Sequence, residues 1–585
     1  MRTMLCLILL VPVIIIAGNL QPVTVLPSET PVADQTPAAK PTAPATVTFL
    51  LGRVDTIGGT TYDWQFNGPE YRLLVNASEY GLHAGWMFSA DPGTSAPDRN
   101  QRYNFFDYAN GAWNWIDPDF MASGVNVYTQ RSGFGHLDAD PVTGVAMFST
   151  HQTPGGGAIR PVLGRDMAPG AGIFEYCDGS PNCEAYLWPP ISIDANQVVH
   201  CALNDDPTRN QLYYTKVATW CNWETPVLIT SPQPDPNFPT QNIVASKNSQ
   251  KVCITWVQTV ESGYFDEPGY YRISNDGGTT WDDVTILEDP PAYSGDTSPS
   301  FHISSLFPFF DDQDRLHIVA HVTPYVRDTN WILPAEIWHW CADNSPQWSK
   351  IHRAGCDPEN LQAGVGYNAS YACRPSIGED DQGRLYVAWE QFDSANVEPV
   401  TNLLRADIFI AASEDGGNTW LPAVKLTEAG TASCRFPCVA NRMVTREGQL
   451  YVPVIYLIDQ QAGYPLYNQG QVTNNPVVVH WVPAESLGIG VAEVHKTVPT
   501  RLELSAKPNP FSSRTIISYA LPQPGNVSLI LYDASGRPVK TLVSGNRPTG
   551  RFTVGLQGNE LAAGIYFCTL TTERAKLTRK FTVVR

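Results

Sequence analysis

Ser274-Asn275-Asp276-Gly277-Gly278-Thr279-Thr280-Trp281 and Ser413-Glu414-Asp415-Gly416-Gly417-Asn418-Thr419-Trp420 are near-copies of each other: six of the eight positions agree, and the copies begin 139 residues apart. Each follows a strand-like run, Tyr270–Ile273 and Asp407–Ala412. The pattern is that of a tight turn. The Asp accepts hydrogen bonds from nearby backbone N–H groups, and the Gly pair supplies φ > 0 with no Cβ to clash. The Trp starts the next strand and covers the hairpin with a large apolar face.

Working outward, a coarser repeat runs from about residue 47 to 490. A short strand enters, a polar turn follows, and an apolar strand comes back. The clearest copies are Pro375–Trp389 and Cys438–Pro453; weaker ones are Tyr71–Phe88, Gly135–Phe148, Pro190–Leu203, Gln241–Trp256 and Ser300–Val322. Seven starts spaced roughly 50–70 residues apart leave room for four strands each. A closed ring of such units hides its sheet edges. The expected fold is all-β, a β-propeller of seven blades with six as the rival count, and segment 47–70 is placed to supply the strand that closes the ring.

The two turn sequences resemble the Asp-box of sialidase-like β-propellers, also called the BNR repeat. The resemblance implies that Ser274, Asp276, Gly278 and Trp281, with Ser413, Asp415, Gly417 and Trp420, are structural. In that family the box joins the outer two strands of a blade, away from the ligand-binding face. A sialidase also needs three Arg, a Tyr nucleophile helped by a Glu, and an Asp. The first Arg normally sits in a Phe/Tyr-Arg-Ile-Pro motif. Here Tyr71-Arg72-Leu73-Leu74 and Ala158-Ile159-Arg160-Pro161 match only in part, and Tyr271-Arg272-Ile273-Ser274 lies in the strand feeding an Asp-box.

Charge and the N-terminal segment bound the class of protein, and it is the N-terminus that points to export. The net charge of the 585 residues is −19, a poor partner for nucleic acid. From Arg501 onward twelve Lys and Arg face four Asp and Glu, so this end carries +8 and the rest −27. That change of sign marks a domain boundary. Residues 1–19 read as a signal peptide, with Arg2 ahead of an apolar run too short to span a membrane comfortably. Residues 20–46 are a Pro-rich linker, and 491–500 a second linker. Eleven Cys remain after Cys6. Short spacings suggest the pairs Cys177–Cys183, Cys356–Cys373 and Cys434–Cys438, with Cys201 and Cys221 able to join neighbouring strands. No Cys-x-x-Cys occurs. Asp311-Asp312-Gln313-Asp314 and Asp380-Asp381-Gln382-Gly383 lack the spacing of a calcium loop and read as polar turns. No metal, no cofactor and no membrane segment beyond the signal is expected, and the chain is read as a monomer.

Residues 501–585 alternate apolar and polar positions between Gly, Asp and Pro turns, the pattern of a seven-strand Ig-like β-sandwich. Pro508–Phe511, Leu531–Val539, Leu561–Phe567 and the basic ending Arg579–Arg585 resemble the type A C-terminal sorting domain of the type IX secretion system. Leu556-Gln557-Gly558 stands where that family usually has Trp-Asp-Gly. The resemblance implies passage through the periplasm and the secretion machinery of a Gram-negative bacterium, then release or attachment at the outer surface.

Propeller ligands bind where innermost strands open onto the central channel. The residues opening the expected inner strands include His136, Asn242, His302, Arg374 and Arg435. Arg374 and Arg435 each follow a Cys and are expected at equivalent places in successive units, converging on an anionic or hydroxyl-rich ligand. The functional expectation is a non-enzymatic module for a glycan or a surface protein, with a sialidase-like glycoside hydrolase as the alternative.

Overall fold

The computed structural model describes residues 44–66, 70–230, 240–258, 268–291, 301–324, 331–489, 502–512, 514–547, 550–558, 561–572 and 574–584. The expected signal peptide, Cys6 and most of the Pro-rich linker lie outside the described residues, as does the side chain of His302. The chain divides into two compact units after Ile489.

The first unit is a seven-bladed propeller. Seven antiparallel sheets of four or five strands follow one another along the chain, six built from consecutive strands and the last completed by a strand from the start of the propeller. Their innermost strands are Leu74–Asn76, His136–Ala139, Ile191–Ile193, Thr240–Ala245, Phe301–Phe310, Ala372–Glu379 and Ser433–Val439, which open blades 1 to 7. Each falls on one of the seven starts read from the sequence. The ring closes through Arg53–Thr60, which pairs antiparallel with Asn475–Pro483 as the outermost strand of blade 7. Two bonds across the seam tie the first inner strand to the last: Leu73 N–H to Cys438 Sγ at 3.3 Å and Asn76 N–H to Asn441 Oδ1 at 2.7 Å. Every blade is then neighboured by a blade on both sides, which closes the ring.

The core sits between blades. Trp86, Trp256 and Trp389 on the second strands of blades 1, 4 and 6, and Trp481 in blade 7, are among the largest fully buried side chains. Burying such a ring contributes roughly 1.5–3 kcal/mol by apolar transfer. Close packing leaves no room at Gly58, where an added Cβ would run into the Trp86 indole, whose N–H donates to Gly59 O at 3.1 Å.

The two sequence copies form the turn between the third and fourth strands of blades 4 and 6. In each, the Ser hydroxyl accepts from the second Gly N–H at 2.8 Å and donates to the Asp at 2.8 Å. The Asp takes the N–H of the Thr before the Trp, at 2.8 Å for Thr280 and 2.9 Å for Thr419. Gly277, Gly278, Gly416 and Gly417 all have φ between +68° and +86°. Those hydrogen bonds, led by the Thr280 hydroxyl, hold the Asp276 carboxyl down to about 2.

What lies under each turn comes from the preceding blade. Under the first, Asp194, His200 and Tyr214 form a buried chain: 3.4 Å from Asp194 to His200, then 2.7 Å from His200 to the Tyr214 hydroxyl. Trp281 stands edge-on to Tyr214, and a Cβ at Gly278 would collide with its hydroxyl. Under the second, Asp311, His317, His339 and Ser349 run in line at 3.1, 2.8 and 3.2 Å, and Trp420 Nε1–H donates to Ser349 at 3.0 Å. A Cβ at Gly417 would strike the His339 ring.

The disulfide expectation needs correcting. Cys177, on the outer strand of blade 2, pairs with Cys221, in a turn of blade 3, with Cα atoms 5.1 Å apart. Cys183, Cys201, Cys356, Cys373, Cys434 and Cys438 are free thiols. Cys434 and Cys438 lie four residues apart on one strand, a separation of roughly 10 Å or more, beyond the roughly 7 Å over which two Cα atoms are bridged. Cys373 faces the propeller axis, where its thiol donates to Glu390 at 3.4 Å.

The second unit is a seven-strand sandwich. One sheet holds Glu503–Lys507, Arg514–Leu521 and Gly550–Gln557; the other holds Gly525–Asp533, Pro538–Arg547, Gly564–Thr572 and Lys576–Val583. Val527, Leu529 and Leu531 alternate inward to meet Ile517, Tyr519, Cys568 and Leu570. Leu556, at the departure from the family pattern, is buried in the same core.

Candidate functional site

The connection from the closing strand to the first inner strand crosses the propeller axis, and its residues organise the centre of the ring. Glu70 meets two blades: its carbonyl accepts from Asn242 Nδ2 at 2.8 Å, and its Oε1 accepts from the Ser305 hydroxyl at 2.7 Å. Tyr71 stands edge-on to His136 at 5.7 Å. Arg72 donates to the carbonyls of Ile377 (3.0 Å) and Val439 (3.2 Å) and lies over Phe307 at 4.9 Å. Three consecutive residues therefore reach blades 2, 4, 5, 6 and 7.

Below them is a small cavity of about 40 Å³, lined by Arg72, His136, Asp138, Asn242, Lys247 and Arg442 among others. That is room for a few waters. Its charges are balanced locally: Lys247 reaches Asp138 at 2.6 Å and Arg442 reaches Glu379 at 2.5 Å. Burial pushes the His136 imidazole down to about 3, so it is neutral, and its Nδ1 has no hydrogen-bond partner among the described residues. Burial likewise lifts the Glu70 carboxyl to about 8, with Ser305 offsetting only part of the effect.

Arg374 and Arg435 meet at the end of the axis away from the Asp-box turns. Both engage Glu390 Oε1, Arg435 through Nε at 3.1 Å, and Phe436 N–H donates to Oε2 at 2.7 Å. Arg374 Nη2 also donates to Asn368 O at 2.6 Å and Arg435 Nη2 to the Tyr464 hydroxyl at 3.0 Å. All three charged side chains are buried. Burial alone would raise the Glu390 carboxyl, but the two guanidinium groups overcome it and hold the pKa below the usual range. Asp63 and Asp459 lie nearby, and burial raises both carboxyls, the Asp459 charge adding to the rise at Asp63.

The two Arg do not occupy equivalent positions, which corrects the alignment on Cys373 and Cys434. Both inner strands carry a bulge, and its left-handed residue is Arg374 (φ 57°) in blade 6 but Phe436 (φ 56°) in blade 7. The strands align on Pro375 and Pro437, since a proline cannot donate to the ladder and marks the bulge. Arg435 therefore matches Cys373. The guanidinium groups converge because the positive φ at Arg374 re-aims its side chain.

Other expected residues take more local roles. Asn242 and His136 lie at the axis as described; the side chain of His302 lies outside the described residues. Arg72, the partial match to the first sialidase Arg, precedes the first inner strand but is bound to backbone carbonyls rather than to the Glu390 cluster. Asp311 and Asp380 accept from N–H groups of their own turns and from Arg315 and Arg384, and no metal-binding cluster occurs among the described residues. Sequence reading passed over Glu70, Glu390 and Tyr464. Glu390 carried one signal: a carboxylate in the apolar run Leu385–Phe392, a position that charged residues occupy only when paired.

Around the cluster, on the face formed by the loops opposite the Asp-box turns, four rings stand in sequence. Tyr464 and Trp64 are 4.9 Å apart, Trp64 and Tyr467 5.1 Å, and Tyr467 and Tyr367 5.4 Å between centroids. Tyr367 is half-buried and forms the outer end of the row.

Comparison with known proteins identifies the second unit. Residues 506–584 match the secretion system C-terminal sorting domain family. The protein is thus a type IX secretion substrate, delivered to the cell surface or the extracellular space. No curated protein matches the chain. Among solved structures, it is similar to an ulvan lyase of a polysaccharide lyase family (11% identity, 74% of this chain and 96% of that one, TM-score 0.45). It is also similar to a Penicillium chrysogenum α-L-arabinanase (11%, 63% and 95%, TM-score 0.37) and to Trypanosoma rangeli sialidase (10%, 82% and 88%, TM-score 0.34). No helix among the described residues is long and apolar enough to cross a membrane.

Proposed function

We propose that the propeller is an exported glycan-binding module whose ligand lies on the face opposite the Asp-box turns. The observation that carries this reading is the half-buried Tyr367, the one ring of the row that is partly open, backed by the buried rings of Tyr467, Trp64 and Tyr464. Aromatic faces beside a few fixed polar groups suit the apolar faces and hydroxyl edges of sugar rings. Arg374 and Arg435 act here as positioning residues. Glu390 already neutralises one of their two charges, so an acidic sugar would have to displace a buried carboxylate to reach them. That favours a ligand recognised by stacking and hydroxyl contacts over one gripped by its carboxylate.

Affinity electrophoresis through gels containing soluble polysaccharides tests the proposal. Wild type is expected to be retarded by at least one polysaccharide, and Tyr367→Ala to lose about tenfold in affinity, a difference of about 1.4 kcal/mol. Equal retardation of both proteins would place the ligand elsewhere.

A further inference from the structure

A second candidate site lies on the other face, in a groove of about 390 Å³ between blades 2 and 3. Its size is within the range of small-ligand pockets, roughly 300–1,000 Å³. The groove is bounded by the turn after the third strand of blade 2 and by two turns of blade 3. The Cys177–Cys221 disulfide joins these blades beside it, so its walls are fixed relative to each other.

The floor is a plate of two planar groups. The Arg165 guanidinium lies 4.0 Å from the centroid of the Trp220 indole, and its Nε donates to Glu175 Oε1 at 2.8 Å. Glu175 takes Arg165 Nη2 on that same oxygen. Asn196 and Gln197 line the opposite rim, both exposed, and Met167 adds an apolar wall with 66% of its surface open. The remaining lining carboxylates are committed to the fold. Asp166 accepts from Gly172 and Ile173 N–H at 3.2 Å each, and Asp140 accepts from Val142 N–H at 2.8 Å and Gln197 at 2.6 Å.

We infer that this groove binds a neutral oligosaccharide, independently of the site proposed above. A sugar hydroxyl both donates and accepts. Arg165, held over the Trp220 indole and paired with Glu175, sets guanidinium donors beside carboxylate acceptors, the complement of two adjacent hydroxyls. On the rim, the Asn196 carboxamide and the Gln197 amide oxygen, whose nitrogen is held by Asp140, extend the same neutral hydrogen bonding. Asp140, Asp166 and Glu175 against the single Arg165 leave the lining net negative, which disfavours anionic sugars.

The test uses the full exported chain in gels containing laminarin, galactomannan, xyloglucan or, as the anionic control, alginate. At least one neutral polymer is expected to retard the wild type. Trp220→Ala and Glu175→Gln should each weaken that retardation about tenfold, whereas Tyr367→Ala leaves the groove's share of binding intact. Alginate should not depend on either groove residue. Loss in Tyr367→Ala alone would support the opposite face and overturn the groove. The groove is equally overturned if no neutral polymer retards the protein, or if Glu175→Gln, the milder change, binds like wild type. Thermal unfolding of each variant separates lost binding from lost structure; should Trp220→Ala unfold, Glu175→Gln decides.

Discussion

Single residues on the axis carry the largest energetic consequences. Glu390 balances two buried guanidinium groups, and removing one partner of such a network leaves uncompensated charge in a low-dielectric interior. Glu390→Gln is expected to destabilise the propeller by about 3–5 kcal/mol in urea unfolding; a loss within error would mean the cluster is hydrated. Glu70 behaves oppositely. Its folded pKa of about 8 lies above its ordinary value of 4.5. Between those values the folded protein keeps a proton that the unfolded chain has released, so stability falls as pH rises across the window and is complete below it. Glu70→Gln should therefore gain on the wild type as pH rises from 4.5 to about 8. A constant gap between the two proteins would show that Glu70 is not desolvated as described.

At the scale of elements, the Asp-box turns were legible because their chemistry is local. Ser, Asp and two Gly within five residues specify a turn wherever the chain runs. The surface beneath was not legible, because His200, Tyr214, His317 and His339 come from other blades and carry no spacing signal. Ser413→Ala tests the turn: Gly417 N–H loses its acceptor while buried, a cost of about 1–3 kcal/mol, measured as a fall in unfolding free energy with glycan binding unchanged. If binding collapsed while stability held, the turn would be part of a ligand site. The inner strands show the reverse case. Cys373-Arg374 and Cys434-Arg435 look alike in sequence, yet a one-residue offset changes which side chain a strand presents, and only the bulges at Pro375 and Pro437 reveal it.

For the whole molecule, the seven repeats pointed to a propeller and the charge reversal at Arg501 to a boundary, while the sorting role of the second unit was legible only through the resemblance carried by Pro508–Phe511, Leu531–Val539, Leu561–Phe567 and Arg579–Arg585. The plug across the axis was not readable. Nothing in the spacing of Glu70, Tyr71 and Arg72 signals the axis, and only ring closure brings them to the centre. The division of labour between the two units gives its own prediction. Deleting 501–585 should leave a folded propeller that stays in the periplasm, as fractionation and immunoblotting would report; unchanged surface display or release would refute the sorting role. We propose that the exported propeller recognises glycans and leaves them unaltered. A glycan array probed with the purified protein, followed by mass spectrometry of every retained glycan, tests it most directly. The account predicts retention on a restricted set of glycans with their masses unchanged; an array without a single retained glycan, or retained glycans cut to smaller products, would contradict it.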